Sequence, residues 1–450
     1  MLSFLWTLGS FIVALGILVA VHEWGHFWVA RRCGVKVERF SIGFGKALWS
    51  RTDKQGTEYV IAAIPLGGYV KMLDERVDEV AEQDLPKAFN RQPVLKKIAI
   101  IAAGPLVNFI FAVFALYLMF LIGVPTSKPM VGEVKADSIV SRAGITENSV
   151  ITQVGGRQTL NWEEVNLELM SYIGQSTIPV TWLPSGGNTE RLTVLDTSQW
   201  HFEPDTSTAI DSLGFSIYRP EILPVLGQVL ENSAADTLGL RVGDKILRLD
   251  GTSMQNWVQI VGYVTERPNQ AISVDVERQG QEVNLTGTIG ERDVNGVKQG
   301  FMGFTPTLGK WPDGVLFTYQ YGLFDSVVKA LDKTWRLMTL SVEMLGKLIS
   351  GDVSVKNLSG PIAIAQGAGM SASSGLVYFL SFLALISVNL GIINLLPLPV
   401  LDGGHLLYYF IELFSGRPVS ESVQEIGFKI GGVLLLLLMS IAIVNDITRL

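Results

Sequence analysis

VAVHEWGHFWVARR, Val19 to Arg32, decides how the rest of the chain is read. No charged side chain occurs between Met1 and Val21, and then His22, Glu23 and His26 arrive within five positions. The apolar run from Leu2 to Ala30 exceeds the about 20 residues that cross a bilayer. Two of the chain's four histidines and a carboxylate therefore stand near the far end of a spanning helix. His-Glu-x-x-His on a helix puts both imidazoles one turn apart on one face, where they can bind one zinc ion. Glu23, next to the first histidine, is then placed to take a proton from water. Ionisable groups within a span are costly and mark function.

The composition agrees with a membrane protein. The chain is 48% hydrophobic and 17% charged, against about 25% charged in soluble domains. A net charge of −7 and a pI near 5.3 argue against nucleic acid as a partner. The single cysteine, Cys33, allows no intramolecular disulfide and no cysteine-built zinc site. The first apolar run is too long for a removable signal peptide and lacks a basic front and a small-residue cleavage site.

Three more apolar segments follow: Ile98 to Val124, Gly375 to Leu396, and Ile430 to Asn445. The last reaches spanning length, over 426–446, if Lys429 snorkels. The expected fold class is a multi-pass α-helical membrane protein with four spanning helices. The loop from Arg31 to Lys97 holds 13 Lys/Arg, which by the positive-inside rule puts it in the cytosol. Both termini and residues from about 125 to 370 then lie outside. This topology brings the C-terminal ends of the first and third helices to one membrane face. The third ends in NLLPLPVLDGGH, Asn394 to His405, so Asp402 sits at about the depth of His22 and His26. A catalytic zinc needs a third protein ligand beside an open position, and Asp402 is the candidate. A turn role for Asp402 in Asp-Gly-Gly competes with that reading. His405 ranks below it, because a break at Gly403-Gly404 leaves its direction open. His201 is expected on the outer surface.

Between the second and third spans the chain repeats at an offset of 95 residues. Pro129 to Val134 falls on Pro224 to Val229, Ser138 on Ser233, and Asn161-Trp162 on Asn256-Trp257. Two related small α/β modules are expected, each with β-rich runs and a helix after the Asn-Trp pair. The second, through Asn232 to Gly251, resembles a PDZ domain in a permuted order, and PDZ domains capture extended peptides along a sheet edge. In the first copy Gly144 to Ser149 has lost the Gly-Asp pair of Gly243-Asp244. Tyr321 to Leu348 spaces its apolar residues as an amphipathic helix on the outer membrane surface or against the second module.

Together, HEWGH near the end of a first span, LDGGH after a third and a PDZ pair between resemble the site-2 protease family, and within it the bacterial type that regulates the sigma-E response. RFSIGFGKALW, IPLGGYVKM and NLSGPIAIA extend the likeness over essentially the whole chain. The resemblance implies an intramembrane zinc metalloprotease of the bacterial inner membrane. His22, His26 and Asp402 would hold one zinc ion and Glu23 would be the catalytic base. It implies Asn394 near the substrate backbone, with Pro397 and Pro399 shaping the approach to Asp402. It also implies that Ser41 to Gly45 and Glu58 to Met72 form a β-hairpin dipping into the membrane from the cytosolic side. Gly67, Gly68 and Tyr69 would mark an edge that accepts unwound substrate. The implied partners are single-span membrane proteins such as an anti-sigma factor, remnant signal peptides, peptide ligands of the PDZ domains, and the lipid bilayer.

The expected organisation is 1–30 first span; 31–97 cytosolic-side loop with the hairpin; 98–124 second span; 128–221 and 222–309 the PDZ domains; 310–374 an extracytoplasmic amphipathic segment; 375–405 third span with the Leu-Asp-Gly motif; and 426–446 fourth span. Two rival readings remain: a membrane zinc transporter would have little use for paired peptide-binding modules or for a Glu between the histidines, and in a non-catalytic PDZ receptor mutation of His22 should be silent. An ATP-dependent protease is excluded, since no Gly-Lys pair is followed by Ser or Thr.

Overall fold

A computed structural model of the protein describes residues 2–77, 79–200, 202, 207–294 and 296–449. His201 lies outside the described residues. Seven helices of 14 residues or more occur among those described. They are α1 (Leu2–Arg32), α2 (Val94–Ile122), α3 (Leu323–Ser350), α4 (Pro361–Ser374), α5 (Leu376–Leu395), α6 (Asp402–Ser415) and α7 (Glu421–Thr448). Of these α1, α2, α5 and α7 are long and apolar enough to cross a membrane. Two of these helices begin earlier than hydropathy alone places them. Pro93 precedes α2, so Lys96 and Lys97 fall inside its first turn instead of before it. α7 starts at Glu421, and Glu425 and Lys429 pair one turn apart at 2.8 Å on its polar first turns.

α2 is the central pillar and packs against α1, α3, α5 and α6. Its residues Ala112, Leu116 and Phe120 form a core with Ala384, Val388 and Ile392 of α5. α3 is amphipathic: Ala330 and Leu337 are buried, whereas Phe324, Val328, Leu331, Trp335 and Ile349 are exposed. The segment 310–374 does not behave as one piece. α4, small and uncharged in sequence, packs against α1, α5 and α7. Its first turn is capped by Asp446 of α7, which accepts from the backbone N–H groups of Gly360, Ile362 and Ala363 at 2.9, 2.8 and 3.1 Å.

After α1, strands β1 (Val37–Thr52) and β2 (Glu58–Met72) pair along their length. The pairing is richer than a hairpin. Phe40 faces both Val70 and Tyr59, and Ser41 faces both Tyr69 and Val60. Each strand bends within its length, so residues 39–42 are flanked on both sides.

The region between α2 and α3 contains two modules of matching build. One sheet runs in the order Arg157–Gln158, Val150–Val154, Thr177–Leu183, Arg191–Asp196. The other runs Gln281–Thr288, Ala271–Arg278, Lys245–Leu249, Ile222–Val229, Phe304–Leu308. The sequence repeat reappears in chemistry. Asn161 and Asn256 cap the helices Trp162–Ser171 and Trp257–Thr265 by accepting from Glu164 and Gln259 N–H groups. Trp162 meets Phe215 edge-on, as Trp257 meets Phe304. The two ends of this insert lie side by side, because Val124–Ser127 pairs with Leu316–Tyr319.

Candidate metal centre and active site

α1 carries His22 and His26 on one face, with their Nε2 atoms 3.3 Å apart. α2 crosses them closely. A Cβ on Gly104 would strike the His26 ring, so glycine alone permits the approach. The crossing brings the Ile100 carbonyl within 2.9 Å of His26 Nδ1. A carbonyl only accepts, so Nδ1 carries the proton and Nε2 keeps its lone pair. Asn108 of α2, fully buried, has its Nδ2 at 3.1 Å from His22 Nδ1.

α6 supplies the third group. The chain turns at residues 396–401 and enters α6 at Asp402, whose Oδ2 lies 3.2 Å from His22 Nε2 and 3.3 Å from His26 Nε2. The break expected at Gly403-Gly404 does not occur: both residues are helical and form the first turn of α6. A Cβ on either would collide with the backbone of Leu395 to Pro399, which crosses over that turn. His405 consequently points elsewhere, and its ring packs 5.3 Å from Phe428.

The donor set fits zinc. Asp402 Oδ2 is buried without a hydrogen-bond partner among the described residues, and two imidazole nitrogens face it. Tetrahedral zinc with bonds of about 2.0–2.1 Å has ligand atoms about 3.3–3.4 Å apart, matching the separations of 3.2, 3.3 and 3.3 Å. His22, His26 and Asp402 are the one group of three metal-ligating side chains found among the described residues. Glu23 lies half-buried beside them and accepts no hydrogen bond among the described residues.

The other expected site residues divide. Gly68 lies against α1: a Cβ there would sit 2.7 Å from Val19 Cγ1 and 3.0 Å from Glu23 Cγ. Gly67 and Tyr69 pack on Phe44 instead, the Tyr69 ring stacked on it at 6.1 Å. Asn394 is half-buried near the end of α5. Pro397 is exposed, and Pro399 packs against Gly427 and Gly431 of α7.

Comparison with known proteins follows this geometry. The sequence pattern of peptidase family M50 matches residues 10–438. The chain belongs to peptidase family M50. It is 53% identical over 450 residues to the regulator of sigma-E protease RseP of Salmonella typhimurium and 54% identical over 450 to that of Escherichia coli, each covering all of both chains. A Vibrio cholerae protein provisionally named a zinc metalloprotease is 50% identical over 452 residues, again over both full lengths. The chain is thus a zinc metalloprotease of the intramembrane site-2 type.

Two residues that pack against His26 and His22 in this M50 protease have no place in the reading of its sequence, Gly104 and Asn108. The signal was present in GPLVN, Gly104 to Asn108, where a glycine and an amide interrupt an otherwise apolar span.

Proposed function

We propose that this M50 protease hydrolyses a peptide bond inside the membrane-spanning segment of a single-span protein. In this reading His22, His26 and Asp402 hold one zinc ion and Glu23 is the general base. The observation that carries it is the triangle of Nε2, Nε2 and Oδ2 with a carboxylate free of hydrogen bonds alongside. Zinc, when bound, lowers the pKa of water and polarises a carbonyl. Glu23 takes the proton from the attacking water and returns it to the leaving amine, a pair of transfers worth about 10²–10⁴-fold. Ile100 holds the His26 ring in register through its carbonyl.

A helical substrate bond is shielded by its own hydrogen bonds and must unwind before attack. Unpaired backbone in lipid is costly, so a sheet edge that takes up the unwound segment offsets that cost. Gly68, against Glu23, is the part of the β1–β2 sheet nearest the chemistry. Asn394 serves the substrate backbone at the end of α5, while Pro397 and Pro399 fix the turn into α6. Tyr69 and Gly67 support the sheet through Phe44.

The 13 basic residues of 31–97 favour a cytosolic position for the sheet and for the nearby active site. Both termini, α3 and the two modules then lie on the periplasmic side of a bacterial inner membrane. The modules act as tandem PDZ domains that bind peptide ligands, the second supported by its Gly243-Asp244 turn. Relatives named as regulators of sigma-E protease make an anti-sigma factor the first substrate to test, with remnant signal peptides second.

The test is cleavage of a single-span substrate by purified protein in lipid vesicles, with the cut mapped by mass spectrometry. A cut within the span that is lost on chelation and restored by zinc is expected. Cuts confined to soluble loops would overturn the reading. Gly68→Pro should reduce cutting with zinc content unchanged, and unimpaired cutting would remove the sheet from the mechanism.

A further inference from the structure

The two histidines of the centre are oriented by different chemistry. His26 Nδ1 faces the Ile100 carbonyl, an obligate acceptor, so its Nε2 lone pair always points at the ligand triangle. His22 Nδ1 faces the amide of Asn108. An amide can either donate or accept, depending on which end it presents. Here Nδ2 stands 3.1 Å from His22 Nδ1, and Asn108 Oδ1 is buried with no partner among the described residues. In this arrangement Nδ2 donates, Nδ1 accepts, and the His22 proton sits on Nε2, which lies 3.3 Å from the Nε2 lone pair of His26.

A metal cannot bind that tautomer through Nε2. His22 becomes a ligand when its proton moves to Nδ1, and Nδ1–H then needs an acceptor. Oδ1 of Asn108, unpartnered on the same amide, is that acceptor once the amide turns end for end. The backbone around it holds still: Ser387 Oγ donates to the Asn108 carbonyl at 2.8 Å, and α2 is pinned to α1 beside Gly104.

We propose that Asn108 is the positioning residue for His22, and that its amide reverses as the metal binds, fixing the tautomer that ligates. The inference rests on the zinc reading of the His22–His26–Asp402 triangle. A hydrogen-bond partner that orients a metal-ligating histidine is worth about 10–100-fold in metal affinity.

The experiment measures zinc affinity of the purified full-length chain by competition with a chelator, for wild type, Asn108→Leu and Asn108→Asp. Leucine keeps the volume but offers no acceptor, and it should weaken zinc binding about 10–100-fold. Aspartate accepts at either oxygen and should bind zinc at least as tightly as wild type. Nitrogen NMR of the His22 ring in wild type should show Nε2–H without zinc and Nδ1–H with it. Leucine binding zinc within twofold of wild type would overturn the proposal, as would equal losses in both variants or a His22 tautomer indifferent to zinc. If the leucine variant fails to fold, the aspartate affinity and the wild-type ring spectrum decide the matter. Absence of zinc binding in wild type at all would instead overturn the underlying metal reading.

Discussion

At the scale of single residues, the centre depends on clearances as much as on ligands. Gly104 is the sharpest case, because any side chain there occupies the space of the His26 ring. Gly104→Ala should therefore lower zinc affinity at least about tenfold, the size of other losses of ligand orientation. Equilibrium dialysis of the purified variant checks this. That His22 and His26 share one helix face was legible in sequence, because the helix makes their spacing geometric. Asp402 was legible only through topology, since 380 positions separate it from His22. Asn108 and Gly104 were not, because a lone amide or glycine in an apolar span does not name its partner.

At the scale of elements, two acidic side chains do work that hydropathy does not reveal. Asp446, buried near the end of α7, accepts from three N–H groups at the start of α4. Asp446→Ala should destabilise the membrane domain by about 1–2 kcal/mol, as for other lost caps, and thermal unfolding in detergent measures it. Asp244 in the second module accepts from Arg278 Nε and Nη2 and from the Arg241 N–H, each at 2.8 Å. Burial alone would raise its pKa, but the hydrogen bonds from Arg278 and Arg241 outweigh it and hold the group below its ordinary value. A depressed folded pKa means stability that is complete above the unfolded value of about 3.9 and is lost as pH falls below it. Amide protection across 222–308, taken relative to the intrinsic exchange rate at each pH, should fall on acidification below about pH 4, and Asp244→Asn should flatten that dependence. The first module carries Ser149 at the matching position, whose hydroxyl donates to the Thr146 carbonyl, and lacks this source of pH dependence. The 95-residue repeat forecast the paired modules well, since caps and aromatic contacts repeat with it. The family resemblance implies a simple hairpin for β1 and β2; the added pairing was not legible, because the bends at Gly43 and Gly67 leave no periodic trace.

At the scale of the whole molecule, the insert between α2 and α3 leaves and returns through adjacent strands, Val124 pairing with Tyr319 and Ser127 with Leu316. Replacing 128–315 by a short turn should leave the helical domain folded and zinc-loaded, which metal analysis and exchange protection of α2 would show. Loss of zinc would mean that the modules support the centre. The first module meets α3 through polar contacts, Lys333 pairing with Glu163 at 2.8 Å, Arg336 with Glu168 and Lys347 donating to the Ser171 carbonyl, and through Leu167, which packs on the core of α2 and α3. Length and hydropathy made the four helices that are long and apolar enough to cross a membrane legible. The division of 310–374 into α3 and α4 was not, because it depends on what each helix packs against.

The central claim is that an intramembrane zinc hydrolase uses Glu23 as its base. Cleavage of a single-span substrate by wild type and Glu23→Gln, with zinc measured on both, tests it most directly. Zinc retained at one ion per chain with cleavage reduced by about 10²-fold or more is the expected result. Cleavage at the wild-type rate in the zinc-loaded variant would contradict the account.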